Sequence, residues 1–287
     1  MENIIIIGGG PAGISAALYA ARSGRDPLVI EHGAGGLKKA EKIENYYGGG
    51  TLSGQELYDR GIDQAKTLGV RILTAQVVGV EGFDTFTVHT DQGNFDAKAV
   101  ILATGTSRKA PVIPGLKELE GRGVSYCAVC DAFFYRGKKV AVIGNGAYAV
   151  SEAEHLAGVV NSVTILTDGK EMEAEIPENI KKDGRKISEI TGQETVSEIV
   201  FEDGETLSVS GVFIAMGTAG SADFGRKLGA VDPDGKWIVE ENGATMIPGL
   251  YAAGDCTGGL LQISKAVSDG ALTGTAAAAY LRQKRKK

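Results

Sequence analysis

Short apolar runs followed by glycine-rich turns and helical patterns recur along this chain. The run from Ile4 to Ile7 predicts a buried strand, and residues at helical spacing follow it from Ile14 to Ala20. The same order returns at Lys139 to Ile143, after which a helical pattern continues to about Gly158. Buried strands that alternate with helices are typical of parallel sheets. We therefore predict an α/β fold with two Rossmann-like domains.

The rest of the pattern predicts that the second domain is inserted into the first. The outer domain comprises residues 1–112 and 246–287, and the central domain comprises residues 113–245. A capping box at Ser53 and Glu56 opens a helix that reaches about Leu68. From Leu166 to Val196 we find only a charged, proline-broken stretch, where a complete nucleotide-binding domain would have a helix and a strand. The other predicted elements are strands at 28–30, 70–80, 85–90, 93–97, 99–103, 163–166, 212–216 and from 250, a strand–turn–strand at 193–209, and a helix at 262–281.

The first glycine turn carries the spacing of a dinucleotide-binding site. Gly8 allows the tight turn, Gly10 lets the backbone approach a pyrophosphate, and Gly13 lets the helix pack on the strand. The pyrophosphate then faces the start of the helix. Glu31 ends the next predicted strand, where an acid bonds a ribose hydroxyl. Strand, turn, helix and acid together predict that this domain binds a dinucleotide.

Composition narrows the classes of protein that fit this pattern. The chain has 287 residues, enough for two domains with cores of their own. Its net charge of −6 and the lack of a dominant basic face argue against a nucleic-acid partner. No apolar run approaches the length of a membrane span. Three cysteines do not make a disulfide framework, and we expect a cytoplasmic protein.

Two of those cysteines, Cys127 and Cys130, are three positions apart and are followed directly by Asp131. Backbone N–H groups at a helix start can lower a thiol pKa, and a thiolate made this way attacks a disulfide while its neighbour resolves the product. Asp131 could move the proton that each step requires. A zinc site or an inert buried pair is the alternative for such spacing. The other candidate zinc ligands are scattered along the chain, and we therefore predict no metal site. These ligands are Cys256, His32, His89 and His155.

In this order the motifs resemble low-molecular-weight thioredoxin reductases over essentially the whole chain. The resemblance rests on the first glycine turn, on Ala103-Thr104-Gly105, on the cysteine motif and on Gly254-Asp255. It implies two domains of the FAD/NAD(P)-binding type, a homodimer, a redox disulfide between the two cysteines, and thioredoxin as the electron acceptor. It also implies FAD in the outer domain. The candidate FAD-binding residues are Gly8, Gly10, Pro11, Ala12, Gly13, Glu31, Gly36, Leu37, Asn45, Val77, Ala103, Thr104, Gly105, Gly254, Asp255, Gln262 and Ile263.

The central domain departs from the NADPH-dependent members of that family. The 2′-phosphate of NADPH is best held by guanidinium groups, but the segment after the strand ending at Leu166 carries carboxylates at 168, 171, 173 and 175. Tyr148 also places a bulky side chain next to the second glycine turn. The chain therefore resembles most the ferredoxin-dependent flavin thioredoxin reductases, which keep FAD and the disulfide but lack the nicotinamide site. We expect ferredoxin as the electron donor.

Two alternatives stay open at the level of the sequence. In the first, NADH or NADPH is the donor, and Asp168 lies roughly where an acid would bond an unphosphorylated ribose. In the second, the protein is a non-catalytic flavin-binding sensor whose cysteines only report the redox state. Among the remaining residues, we expect Cys256 to be a small buried side chain, and Phe133 and Phe134 to belong to the core.

Overall fold

The computed structural model describes residues 1–105, 111–126, 128–216, 225, 229–232 and 236–284, with only the backbone at 39, 129 and 130. The chain divides into two compact units. Unit 1 comprises Met1–Ser107 and Gly220–Lys287, and unit 2 comprises Arg108–Ala219. The domain boundaries expected from the sequence, at 112/113 and 245/246, are kept as a prediction.

Unit 1 is built on a seven-stranded sheet in which parallel strands form one part and an antiparallel meander the other. Its strands are β1 (Glu2–Ile7), β2 (Pro27–Glu31), β3 (Arg71–Thr74), β4 (Val77–Glu81), β5 (Phe86–Thr90), β6 (Gly93–Leu102) and β15 (Leu250–Ala252). The order is β3-β2-β1-β6-β5-β4, and β15 lies beside the second half of β6. The predicted strand at 70–80 is two strands, β3 and β4.

β6 is one continuous strand of ten residues, although the sequence predicted two. Its first half pairs antiparallel with β5, and its second half pairs in parallel with β1 and β15. The burial pattern changes where the pairing partner changes, from mostly exposed at Gly93–Asp96 to fully buried at Ala99–Leu102. This change in burial looks like the end of one strand in the hydrophobic pattern, and the sequence therefore predicted two strands. The backbone nevertheless continues as a single strand.

The helices of unit 1 pack on its sheet. They are α1 (Pro11–Arg22), α2 (Gly54–Thr67) and α5 (Ile263–Lys284), with 3-10 helices at Gly35–Lys39 and Gly254–Thr257. α1 and α5 pack directly against each other, and Ser15 Oγ donates a hydrogen bond to the carbonyl of Val267 at 2.7 Å. The apolar faces of β1, α1, β6 and α5 form one continuous core. Within the described ranges, no helix is long and apolar enough to cross a membrane.

Unit 2 contains a five-stranded parallel sheet and a separate antiparallel sheet of three strands. Its strands are β7 (Val124–Ser125), β8 (Lys139–Ile143), β9 (Ser162–Leu166), β10 (Lys181–Asp183), β11 (Ile187–Thr191), β12 (Glu198–Phe201), β13 (Thr206–Ser208) and β14 (Gly211–Ile214). The orders are β10-β9-β8-β14-β7 and β11-β12-β13. The helices are α3 (Ala128–Asp131) and α4 (Ala147–Ala157), with a 3-10 helix at Ala132–Tyr135.

The stretch from 167 to 196 is partly different from the expectation. The described residues 167–180 contain no helix, as the charged, proline-broken sequence predicted, but β10 and β11 do form here. β10 pairs in parallel with β9, from Lys181 opposite Thr164 to Asp183 opposite Leu166. β10 consists of three charged residues, so the hydrophobic pattern of the sequence could not predict it. Backbone pairing with β9 alone forms this edge strand. The predicted strand–turn–strand is present as β12 and β13.

Candidate active site

The first glycine turn joins β1 to α1 and leaves open space in front of the helix. Gly8 has a φ of +114°, and a Cβ at this position would overlap the carbonyl of Ala103, so only glycine fits. Gly10 precedes α1, and a Cβ there would meet nothing within 4 Å. The first backbone N–H groups of a helix have no partner within the helix. Donors that face open space can hold an anion such as a pyrophosphate.

Glu31 ends β2 as an ionised, well-anchored acceptor. Its carboxylate accepts hydrogen bonds from Gly33 N at 2.6 Å, from the Tyr58 hydroxyl and from the Thr74 hydroxyl. Burial favours a higher pKa for Glu31, but the hydrogen bonds from Thr74, Tyr58 and Gly33 outweigh it and hold that pKa below its ordinary value of 4.5. A carboxylate can accept about four hydrogen bonds. Glu31 therefore retains capacity for one further donor, such as a ribose hydroxyl.

Two further predicted contacts meet although 217 residues separate them. Asn45 Nδ2 donates to Gln262 Oε1 at 3.0 Å, and Ile263 follows directly as the first residue of α5. Thr104, just beyond β6, has a buried hydroxyl that lacks a hydrogen-bond partner among the described residues. A buried hydroxyl without a partner is costly, so Thr104 offers a ready bond to a ligand.

The corner at Gly254-Asp255 is held by two residues of α5 that the sequence analysis missed. Lys265 Nζ donates to the carbonyl of Gly254 at 2.9 Å and pairs with Asp269 at 2.8 Å. Asp269 in turn accepts the N–H of Gly254 at 3.0 Å. Burial raises the pKa of Asp255, and Asp269 adds to that effect while Lys265 opposes it. The signal available in the sequence was the Lys–Asp spacing of four on a helix.

The structure also gives positions for the other candidate FAD-binding residues. Pro11, Ala12 and Gly13 form the first turn of α1, and a Cβ at Gly254 would lie 2.9 Å from Ala12 Cβ. Ala103 and Gly105 follow β6 on either side of Thr104. The remaining three candidates lie in other elements of unit 1. These are Gly36 and Leu37, in the 3-10 helix that abuts the start of α2, and Val77, buried at the start of β4.

The predicted redox segment, residues 127–131, lies in unit 2. Cys127 lies outside the described residues, and Cys130 is described only as backbone in α3. Ser125 Oγ donates to Asp131 Oδ2 at 2.6 Å, which fixes the orientation of the predicted proton carrier. At the other end, the N–H of Ala128 donates to Glu152 Oε2 at 2.7 Å. The sequence analysis expected N–H groups at a helix start to lower a thiol pKa, and this N–H at the start of α3 is already bonded to a carboxylate.

Two aromatic residues after this segment overturn an expectation. Phe133 and Phe134 were predicted to lie in the core, but they are 73% and 69% exposed. Their 3-10 helix buries Ala132 instead, and the two rings meet edge to face with centroids 6.4 Å apart.

Cys256 is buried as expected, and burial raises the pKa of its thiol to about 12.

The second glycine turn is covered by a segment of its own unit. The side chain of Asn145 donates to the carbonyl of Glu171 at 2.9 Å and to Glu173 Oε1 at 3.2 Å. The N–H of Glu173 donates back to the carbonyl of Asn145 at 2.7 Å. We call residues 171–173 the acidic strap. Tyr148 is only 2% exposed, so its ring packs within the unit, and the acidic strap rather than this ring covers the turn.

Two charged residues on either side of the acidic strap, Asp168 and Arg185, are held by contacts within unit 2. Asp168, with a φ of +51°, accepts the N–H of Ile187 at 2.9 Å. Arg185 is the only arginine between residues 167 and 187. It pairs with Asp183 at 2.6 Å, and its guanidinium lies 3.9 Å from the centre of the Phe201 ring. Hydrogen bonds to Arg185 lower the pKa of Asp183, as expected for a tight ion pair.

Comparison with known proteins identifies the family. Residues 2–270 match the family model described as pyridine nucleotide-disulphide oxidoreductase. The chain belongs to this family. A thioredoxin reductase of Aquifex aeolicus is 40% identical over 276 residues, which cover 88% of this chain and 84% of that protein. These matches confirm the predicted α/β fold with Rossmann-like sheets, and the chain is a thioredoxin-reductase-like disulfide oxidoreductase.

Two solved structures are similar over nearly the whole chain. The atypical thioredoxin reductase TRi of Desulfovibrio vulgaris Hildenborough is 40% identical, with a TM-score of 0.93 and 99% of each chain covered. A ferredoxin-flavin thioredoxin reductase of Clostridium acetobutylicum is 31% identical, with a TM-score of 0.74, and the match covers 99% of this chain and 98% of that one.

Membership of this family implies FAD as the cofactor, and the residues of unit 1 fit that group. The space at Gly10 and the start of α1 suit its pyrophosphate, and Glu31 has capacity for a ribose hydroxyl. The unpaired hydroxyl of Thr104 supplies a buried polar partner. When bound, FAD accepts and passes on electrons one or two at a time.

Proposed function

We propose that this flavoprotein reduces thioredoxin through the Cys127–Cys130 pair with electrons from reduced ferredoxin. The observation that carries the proposal is the bonding of Asn145 to Glu171 and Glu173 across the second glycine turn. In a Rossmann-like unit that turn and the helix start behind it would receive the pyrophosphate of a nicotinamide dinucleotide. Here a carboxylate is already bonded there.

The charges near the acidic strap support the same conclusion. A dinucleotide would bring at least two negative phosphates towards Glu171 and Glu173, both exposed acids. A 2′-phosphate would need a free guanidinium, but Arg185 is paired with Asp183. Because like charges repel, these carboxylates disfavour binding of a dinucleotide at this turn in the observed conformation.

The driving force fits a ferredoxin donor. A plant-type ferredoxin near −400 mV and a thioredoxin near −270 mV differ by about 130 mV, which is about 6 kcal/mol for two electrons. Each turnover takes two electrons from two ferredoxins and two protons from solvent, and converts one thioredoxin disulfide into two thiols. The cysteine pair cycles between disulfide and dithiol.

The cysteines, Asp131 and the neighbouring aromatic residues each have a defined role in this proposal. One cysteine thiolate attacks the thioredoxin disulfide, and the other resolves the mixed disulfide. Asp131, oriented by Ser125 at 2.6 Å, gives and takes the protons. The exposed rings of Phe133 and Phe134 offer thioredoxin an apolar contact beside the cysteines. We further propose that the enzyme works in the cytoplasm as a homodimer, and sedimentation analysis tests the assembly.

The second candidate is reduction by NADH or NADPH. It is favoured by the retained glycine turn and α4 behind it, and by the match of the family model across both units. It requires the acidic strap to leave the turn, which breaks the three hydrogen bonds that join Asn145 to Glu171 and Glu173.

A donor comparison separates the two candidates. The FAD-loaded protein is mixed anaerobically with reduced ferredoxin, NADH or NADPH, and bleaching of the flavin absorbance and repeated reduction of thioredoxin are followed. We expect turnover with ferredoxin alone. Turnover with NADH or NADPH and none with ferredoxin would reject the proposal, and flavin reduction without thioredoxin turnover would favour the sensor.

Variants in the acidic strap test the observation itself. Glu173→Ala removes the carboxylate bonded to Asn145, and Glu175→Ala removes an exposed acid of the same stretch as a matched control. If the acidic strap excludes dinucleotides, NADH binding should be at least tenfold tighter in Glu173→Ala than in the control. Equal, tight binding by both variants and the original protein would contradict exclusion.

A further inference from the structure

We propose that Glu152 is a positioning residue that holds the start of the redox segment and, through its negative charge, makes the Cys127–Cys130 pair more strongly reducing. This inference rests on the proposed redox use of that pair. Glu152 lies on α4 and takes no part in the cysteine motif itself. Its role follows from its burial, its carboxylate and the hydrogen bond that this carboxylate accepts from the N–H of Ala128.

Glu152 occupies a position where packing alone would favour an apolar residue. The buried face of α4 consists of Tyr148, Ala149, Ala153 and Leu156, and Glu152 lies among them with 1% of its surface exposed. Burying a carboxylate costs several kcal/mol unless hydrogen bonds compensate. Its bond from the N–H of Ala128 measures 2.7 Å, the length of a charge-assisted hydrogen bond. This bond ties the buried acid to the redox segment.

That contact reaches the residue that directly follows Cys127. A negative charge beside a thiol opposes its ionisation and so raises its pKa. The reduced form of a dithiol is stabilised when its thiolate is stabilised, as in strongly oxidising disulfide proteins. Glu152 has the opposite effect, because it withholds stabilisation from the thiolate. The pair is then a better electron donor, which suits a protein that reduces thioredoxin.

Other ionisable groups near this segment differ from Glu152 in place or exposure. Asp131 belongs to the segment itself and accepts a bond from Ser125, and Tyr135 ends the 3-10 helix that follows. Burial, and then Asp131, raises the pKa of Tyr135. Glu154 and His155 lie on the exposed side of α4, and Lys139 is exposed at the start of β8. β9 carries no ionisable side chain. Glu152 is thus the buried charge that α4 contributes.

The test uses Glu152→Gln in the FAD-loaded full chain. Glutamine keeps an oxygen that can accept the Ala128 N–H, but it removes the charge. The protein disulfide is equilibrated with dithiothreitol, giving the protein dithiol and cyclic oxidised dithiothreitol, and the thiols are counted by alkylation and mass spectrometry. At pH 9 we expect the equilibrium constant for reduction to rise about tenfold, which is about 30 mV for two electrons. The difference should shrink towards lower pH, because protonation of the thiols removes the negative charge that Glu152 opposes.

Two controls make the result specific. Glu154→Gln removes an exposed charge from the same helix and should leave the equilibrium unchanged. Glu152→Asp keeps the charge and should stay within threefold of the original protein at pH 9, so it decides the question if the glutamine variant does not fold; a tenfold shift there would overturn the charge role. Identical values for Glu152→Gln and the original protein, or one constant shift at every pH, would also overturn it. Failure of ferredoxin to reduce the protein would reject the donor proposal without affecting this equilibrium.

Discussion

Glu31 and Glu152 show how the surroundings of one residue type decide its task. Glu31 ends a strand, where three donors keep it ionised and one acceptor position remains. Glu152 lies on the buried face of a helix, where its bond to Ala128 ties it to the redox segment. Both are buried carboxylates with donors from other elements. The first faces a ligand position, and the second acts through the backbone.

Gly10→Ala tests the space in front of α1. No atom lies within 4 Å of the added Cβ, so the free energy of unfolding without flavin should change by less than about 1 kcal/mol. The Cβ would occupy the approach of the pyrophosphate, and FAD should bind at least about tenfold more weakly, a loss of about 1.4 kcal/mol. Flavin titration and urea unfolding measure both quantities. Gly158→Ala, at the open end of α4, should leave FAD affinity unchanged, and unchanged affinity in Gly10→Ala would contradict the site.

Glu31 should make stability fall in acid. Its pKa is lower in the folded protein than its ordinary value of 4.5, so its contribution to stability is complete above that pH. The contribution declines as the pH drops below 4.5 and is lost once the folded-state pKa is passed. We therefore expect the difference in unfolding free energy between the original protein and Glu31→Gln to be constant from pH 6 to 8. It should shrink between pH 4.5 and 3, and a difference independent of pH would refute the effect.

At the scale of elements, the sequence predicted features that depend on neighbouring residues. The turn at Gly8 and the capping box of α2 were found because their geometry is set within a few positions. β10 and the acidic strap escaped prediction because they depend on partners far along the chain, β9 and Asn145. Phe133 and Phe134 were wrongly predicted to lie in the core, because aromatic residues are buried only on average and not at every position.

The capping box offers a test of one element alone. Ser53 Oγ accepts the N–H of Glu56, and the Glu56 carboxylate accepts the N–H of Ser53. Ser53→Ala leaves one N–H of the first turn of α2 without its acceptor, so the unfolding free energy should fall by about 1 kcal/mol. Urea unfolding measures it. Ser188→Ala, at an exposed position of β11, should change stability much less, and equal effects would mean that the cap contributes nothing.

At the scale of the whole molecule, the two units differ in what they bind and in how they are composed. Unit 1 joins Met1–Ser107 to Gly220–Lys287 and carries the residues that fit FAD. Unit 2 is one continuous segment with its own core and carries Cys127 and Cys130. Such units should respond separately to ligands of only one of them.

The single tryptophan makes this separation measurable. Trp237 is buried in unit 1, so its fluorescence reports the unfolding of that unit, whereas circular dichroism reports both. Free FAD at 100 times its dissociation constant should stabilise unit 1 by about 2.7 kcal/mol. The fluorescence transition should move to higher urea while part of the dichroism transition stays in place. A common shift of both signals would show that the units unfold together.

The late position of β15 and α5 in the chain has a consequence for synthesis on the ribosome. Unit 2 is complete once residue 219 has emerged, but α1 meets its partner helix only when residue 284 has been added. At about 5 to 20 residues per second, those 65 residues take roughly 3 to 13 s. During that interval the nascent N-terminal half exposes an apolar helix face and an unpaired edge of β6. Chaperones would find their binding surface there, and the inserted unit would by then already be folded.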